Sequence, residues 1–233
     1  MSIKLYDLKK TRSLNDRNPW SPNTWKTRYL LNIKGLDYST EYLHFLEIPE
    51  TIGKLVPDTP KATVPCITDV DGITIQDSRV IALYLEEKYP TPSIFQGGQG
   101  IHFFFEDWSA ENIGPKPFLA SLPAMYSSLD EEAQLHLRKG REFMFATSLE
   151  NFAGNPKEHI LALNKALEPV AKILSKYSFL TGDQVGWSDI VLASQLVCLK
   201  KTHPDMLAEE VLGRHIHLKA WWERMEEYAN EDN

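Results

Sequence analysis

Cysteine is scarce. Cys66 and Cys198 are the only two in 233 residues, too few for a disulfide framework or a zinc cage. Long apolar runs are missing too: no stretch of about 18 apolar residues occurs, which excludes a membrane-spanning helix. Nor does an apolar segment follow Met1-Ser2-Ile3-Lys4, as a secretory signal requires. Positive charge is in deficit. Lys and Arg number 25 against 32 Asp and Glu, a net −7, whereas a nucleic-acid binder needs a basic surface to displace counterions. The seven histidines have no spacing that fits a metal site. Internal repeats and low-complexity tracts are absent. These absences point to a cytoplasmic globular protein with reduced thiols, no metal, and neither membrane nor nucleic acid as partner. With 42% hydrophobic residues, it can bury a substantial core.

Two kinds of pattern are present, in succession. Residues 1–90 read as α/β. Ile3–Leu8 alternates as a half-buried strand does, and Lys9–Pro19 has no period and reads as a loop. Ser21-Pro22 then opens a helix whose Trp25, Tyr29, Leu30 and Ile33 share a face, with Gly35 as the stop. Tyr38–Phe45 reads as a second strand, and a strand-helix-strand unit predicts parallel pairing. Residues 46–61 are mostly irregular with room for one short helix. Val64–Ile67 and Ile73–Ile75 flank a Gly-bearing turn, as in a hairpin. Ser78–Lys88 is helical. Residues 91–99 form a Gly- and Pro-rich linker. From 100 to 233 helical periods dominate, at roughly 101–112, 118–127, 130–153, 157–177, 187–201 and 215–229.

Three features of the first half can carry chemistry, and each also has a plain structural explanation. Ser21 is a good N-cap; its hydroxyl could instead serve a ligand anion at a helix N-terminus, where N–H groups and partial positive charge gather. Val64-Pro65 is either an ordinary strand-edge proline or a cis bond that turns the Val64 backbone toward a peptide-like ligand. Asp77-Ser78 is either a cap or a pocket, with Ser78 for a carboxylate and Asp77 for an amine. The element order brings all three to the strand-end region where open α/β sheets bind ligands.

Taken together, Ser21-Pro22-Asn23-Thr24-Trp25-Lys26-Thr27-Arg28, Val64-Pro65 and Asp77-Ser78, with Phe179–Asp183 and Ser188-Asp189-Ile190 downstream, resemble the cytosolic glutathione transferases. The similarity covers essentially the whole chain. It is nearest to the serine type, the glutathione-dependent β-aryl etherases and the related fungal FuA class. The resemblance implies a thioredoxin-like glutathione-binding domain (1–90), a linker (91–99) and an all-helical domain (100–233) that forms the acceptor pocket. It implies Ser21 as the catalytic residue that holds the glutathione sulfur as thiolate. Glutathione, the co-substrate, would be bound by Asn23, Val64, Pro65, Asp77 and Ser78, with Lys54 or Lys61 on its glycine carboxylate. The implied activity is attack on hydrophobic, aromatic electrophiles, with β-aryl ether cleavage as the sharper variant. The alternative is a ligandin that sequesters phenolic molecules. A homodimer is also implied.

The acceptor pocket is expected from aromatic residues: Trp20, Trp25, Phe105, Trp108, Phe118 and Tyr126. Phe103, Phe104 and Phe105 cannot all face inward, since successive helical residues are about 100° apart. Two departures from the family pattern stand out. Gly186 takes the place of the Ser or Thr that usually caps the helix bearing Asp189, and Lys9–Pro19 is long. Cys66 and Cys198 read as buried residues rather than nucleophiles.

Overall fold

The computed structural model of the chain describes residues 2–13 and 15–231. They form two compact units. One holds the residues up to Ser93, together with Leu129–His136 and the stretch from Tyr228; the other holds Ile94–Ser128 and Leu137–Glu227. Residues 129–136 and those from 228 onward thus go with the first unit, although the sequence pattern groups them with the helices.

The first unit is a thioredoxin-like layer. Strand β1 (Ile3–Leu8), helix α1 (Pro22–Ile33) and strand β2 (Tyr38–Leu43) make the expected crossover. The two strands pair in parallel, with Ile3 opposite Tyr38 and Leu8 opposite Leu43. Strand β3 (Cys66–Thr68) runs antiparallel to β1, and β4 (Thr74–Gln76) antiparallel to β3, giving the order β2-β1-β3-β4. The hairpin turns at Gly72, whose φ of +85° suits a residue without Cβ. Helix α2 (Ile48–Leu55) is the short helix in the irregular stretch, and α3 (Ser78–Lys88) closes the unit.

Polar groups fix how α1 sits on this sheet. The Arg28 guanidinium donates to the Asp7 carboxylate at 3.1 Å, both fully buried, which ties α1 to β1. Breaking one half of such a pair is far more damaging than the pair is stabilising, because an uncompensated charge remains. The long loop after β1 is held by carboxylates. Asp16 accepts from the Lys10 and Thr11 backbone N–H groups at 2.8 and 2.7 Å. Asp130 accepts from Arg12 N–H and Ala133 N–H, and its Oδ1 lies 3.1 Å from His44 Nε2. The loop is therefore latched to the end of β2.

The second unit is helical: α4 (Gln99–Asn112), α5 (Pro115–Ser127), the C-terminal part of α6 (Glu131–Phe145), α7 (Leu149–Ala153), α8 (Pro156–Leu174), α9 (Trp187–Thr202) and α10 (Ile216–Glu226). The single helix expected over 130–153 is broken. Ala146 has a φ of +51°, and the Ser148 hydroxyl accepts from Asn151 N–H to start α7. The helix expected over 215–229 ends at Glu226, and a π-helical turn (Met206–Val211) and a 3₁₀ turn (Leu212–Arg214) lead into it. Helix α9 is the centre of this unit, buried without interruption from Trp187 to Leu199, as a helix apolar all round should be.

Candidate active site

Ser21 stands at the N-cap of α1 with extended backbone, and Pro22 follows at the first helical position. Its carbonyl accepts the first helical bond from Trp25 N–H at 3.0 Å. Its hydroxyl makes no capping bond, although the side chain is only 8% exposed. A cap serine normally spends its oxygen on the N–H of the second or third helical residue. Here the oxygen is left over at the positive end of the helix dipole.

The other two features converge. The Val64-Pro65 bond is cis. Asp77 N–H donates to the Pro65 carbonyl at 3.2 Å, joining the proline to the start of α3. The Gln76 side chain draws the preceding loop in: its Nε2 donates to the Lys61 carbonyl at 2.9 Å, and its Oε1 accepts from Thr63 N–H at 3.2 Å. Among the described residues, the Val64 N–H and C=O have no backbone partner. Asp77 holds a φ of +77° and caps α3 through Oδ1, which accepts from Arg79 and Val80 N–H at 2.9 and 3.2 Å. An Asp with positive φ is uncommon. Asp77 itself is exposed and Ser78 buried. Lys61, Val64, Pro65, Asp77 and Ser78 are thus one neighbourhood. Asn23 is exposed on the first turn of α1. Lys54 is engaged with Glu50 at 2.8 Å on the surface of α2, whereas Lys61 is exposed and makes no ion pair among the described residues.

The six aromatic candidates separate into groups. Trp25 is core: it is 2% exposed, packs its ring at a tilt against Tyr29 with centroids 5.3 Å apart, and donates its indole N–H to the Pro19 carbonyl at 3.0 Å. That burial corrects the expectation that it lines a pocket. Trp20, beside Ser21, has its ring centre 6.1 Å from that of Phe45, and Phe45 in turn lies 5.7 Å from the His136 ring. The sequence pattern had not singled out Phe45 or His136. In the helical unit, Phe105 and Trp108 line a cavity of about 220 Å³ together with Phe104, Ile173 and Thr181. Phe118 and Tyr126 do not line it. They lie on α5 under two arginines of α6, Arg141 and Arg138.

Both thiols are inert by environment. Burial pushes Cys66 and Cys198 each up to about 12, so neither is a thiolate near neutral pH. Among the described residues no cluster of His, Cys, Asp or Glu could hold a metal, and no helix is long and apolar enough to cross a membrane.

The departure at Gly186 has a local cause. A Cβ there would lie 2.7 Å from His102 Cε1 and 3.0 Å from Thr181 Oγ1. The histidine replaces the missing cap: Ser188 N–H donates to His102 Nδ1 at 3.1 Å. Since that ring nitrogen accepts, the proton sits on Nε2, which donates to the Gln96 carbonyl at 3.0 Å. Asp189 completes the end of the helix, accepting from Gly186 N–H, Leu180 N–H and the Trp221 indole.

The chain is similar to known proteins. Residues 20–88 match the glutathione S-transferase N-terminal domain, and residues 100–228 match the glutathione S-transferase C-terminal domain. Glutathione S-transferase 1 of Dianthus caryophyllus is 29% identical over 181 residues, 74% of this chain and 71% of the relative. The crystal structure of glutathione transferase GSTFuA2 from Phanerochaete chrysosporium superimposes with a TM-score of 0.87 at 29% identity, over 100% of both chains. A glutathione S-transferase of Ceriporiopsis subvermispora, CsGST63524, solved in complex with glutathione, has a TM-score of 0.84 at 26% identity, covering 99% of this chain and 98% of its own.

Proposed function

Since the chain belongs to the glutathione S-transferase family, whose co-substrate is glutathione, we propose that it is a serine-type transferase in which the Ser21 hydroxyl holds the glutathione sulfur as thiolate for attack on aromatic electrophiles. The observation that carries this reading is the Ser21 oxygen left without a capping bond at the head of α1. Glutathione lies along the neighbourhood of Lys61, Val64, Pro65, Asp77 and Ser78. Its cysteinyl backbone pairs with the free Val64 N–H and C=O, and its γ-glutamyl end meets Ser78 and Asp77. Asn23 adds a polar contact from α1. Of the two lysines, Lys61 suits the glycine carboxylate better, because Lys54 already has Glu50.

Magnitudes set the division of labour. A free thiol with pKa about 8.5 is roughly 3% ionised at pH 7, and a fall of about 2 units makes it mostly thiolate. That is worth at most ~30-fold, or ~2 kcal/mol. Lower basicity also weakens the nucleophile. The larger share must come from holding the acceptor against the sulfur, where proximity contributes ~7–11 kcal/mol. In the reaction the thiolate forms a bond from sulfur to carbon, the leaving group departs with its electron pair, and the thiol proton has already gone to water. An aryl ether whose phenolate leaves is one such acceptor.

Replacing Ser21 with Ala removes a hydrogen bond to a charged group, worth about 1.5–3 kcal/mol. The expected result is a fall in kcat/KM of roughly 10- to 30-fold at pH 7, with the acid limb of the pH–rate profile moved to higher pH and glutathione affinity nearly unchanged. An unshifted profile would remove Ser21 from the chemistry. The second reading, a ligandin that stores phenolics, is favoured by the aromatic-lined cavity at Phe105 and Trp108. It predicts tight phenolic binding with negligible turnover. A homodimer in the cytoplasm remains the expected setting, on the family resemblance.

A further inference from the structure

We propose that Arg141 is a carboxylate-recognition position in the helical unit, and that its ligand is an aromatic anion. The position is separate from the cavity at Phe105 and Trp108, which neither Arg141 nor Phe118 lines, so the inference goes beyond the aromatic-ligand reading of that cavity.

Arg138, Arg141 and Phe145 recur along α6 at spacings of three and four, so they share a face. Two aromatic side chains of α5 are stacked beneath the arginines. Arg138 lies 5.1 Å from the Tyr126 ring centre and Arg141 lies 5.4 Å from that of Phe118. Phe145 in turn stacks on Phe152 of α7, with ring centres 4.1 Å apart.

The two arginines differ in one respect. Arg138 is saturated: it donates to the Tyr126 hydroxyl at 3.1 Å, to Glu142 at 2.9 Å and to Glu150 at 2.7 Å. Arg141, three residues on, has a ring and no carboxylate partner among the described residues. Burial lowers its pKa, and no anion raises it again. Other desolvated cations of the chain have an acid at hand: Arg28 has Asp7, Lys34 has Glu86 and Lys9 has Glu47.

A guanidinium carries five N–H donors in a fork that fits a carboxylate two bonds at a time. A ring face offers it only about 0.5–2 kcal/mol and satisfies none of those donors in their plane. Arg141 is therefore a partly dehydrated cation whose natural complement is missing, flanked by exposed aromatic surface. In a chain of net charge −7, small anions are repelled on average, so one unneutralised cation beside rings is selective. The matching ligand is an aromatic monocarboxylate, its ring on the Phe118 and Phe145 side and its carboxylate on the fork.

The test compares 4-methoxybenzoate with its methyl ester by calorimetry, without glutathione, on the full chain and on Arg141→Gln and Arg141→Lys variants. The wild type should bind the acid at least 10-fold more tightly than the ester. Arg141→Gln should bring the acid down to the ester's affinity and leave the ester unchanged, while Arg141→Lys keeps part of the preference because a point charge replaces a fork. Equal binding of acid and ester by the wild type, or a preference that survives in Arg141→Gln, overturns the proposal and leaves the aromatic-ligand reading standing. Binding of neither overturns the proposal as well. Glutathione carries carboxylates too; if glutathione alone displaces the acid, Arg141 reads the tripeptide and the aromatic assignment is wrong.

Discussion

Two side chains, Ser21 just before α1 and Cys66 at the start of β3, are both candidates for sulfur chemistry by position. Their surroundings separate them. Ser21 keeps an uncommitted oxygen at a helix N-terminus, where an anion is stabilised. Cys66 directly follows the cis-proline, yet it is wholly buried in a cluster with Tyr6, Leu43 and Ile52, and burial pushes its thiol up to about 12. At pH 7 a thiol with that pKa is ionised to only ~1 part in 10⁵. A redox thiol-transferase built on Cys66 is thereby disfavoured. The expectation is that Cys66→Ala retains glutathione-dependent activity, and that an aromatic disulfide reagent labels Cys66 and Cys198 rapidly only in denaturant. Fast labelling of the native chain, or activity lost in Cys66→Ala without loss of fold, would reinstate the thiol.

At the scale of elements, Gly186 shows why a pattern can be right about a helix and silent about how it begins. The usual Ser or Thr would gain only about a few tenths of a kcal/mol over glycine as an N-cap, on a site open enough to take it. This site is filled by His102, which stands 2.7 Å from where a Cβ would be and already accepts Ser188 N–H. Gly186→Ser should therefore destabilise the chain, by on the order of 1–3 kcal/mol as overpacked sites do, seen as a lower midpoint in urea. Combining it with His102→Ala should recover part of the loss, because the serine then has room to cap. A Gly186→Ser protein as stable as the parent would contradict the crowding. The same example marks what the sequence made legible. Periodicity placed α1, α3 and α9 nearly to the residue and α4 and α8 to within two or three residues at one end, and Ser21, Val64-Pro65 and Asp77-Ser78 were recognisable because caps and prolines act locally. The break at Ala146, the π-helical turn at Met206–Val211 and the pairing of His102 with Ser188 were not. Each depends on contacts distant along the chain or on a backbone choice that composition does not dictate. Arg141 belongs with these, since nothing near it in sequence says that Arg138 takes both acids.

At the scale of the molecule, the buried carboxyl of Asp189 links the helical unit to pH. It accepts three hydrogen bonds, yet burial outweighs them and raises its pKa to about 6. An unfolded Asp titrates near pH 4. Between those values the native chain keeps a proton that the unfolded chain has released, so stability falls as pH rises. The contribution of this group is whole below about pH 4 and is lost as pH climbs through about 6. A shift of some 2 units corresponds to roughly 3 kcal/mol, a sizeable part of the 5–15 kcal/mol typical of a folded domain. Other carboxylates pull the opposite way. Glu150, held down to about 2 by Arg138, favours the folded chain as pH rises, so the wild-type curve alone cannot isolate Asp189. The informative quantity is the difference between wild type and Asp189→Asn in urea unfolding at pH 4, 5, 6 and 7. The amide turns a donor toward Gly186 N–H or forgoes one acceptor, a loss that is the same at every pH. On top of that offset, the wild type's advantage should shrink by up to roughly 3 kcal/mol between pH 4 and 7 and then level off. A difference that stays flat across that range would mean the carboxyl is ionised as easily inside the protein as outside it, and that its three hydrogen bonds fully offset the loss of water.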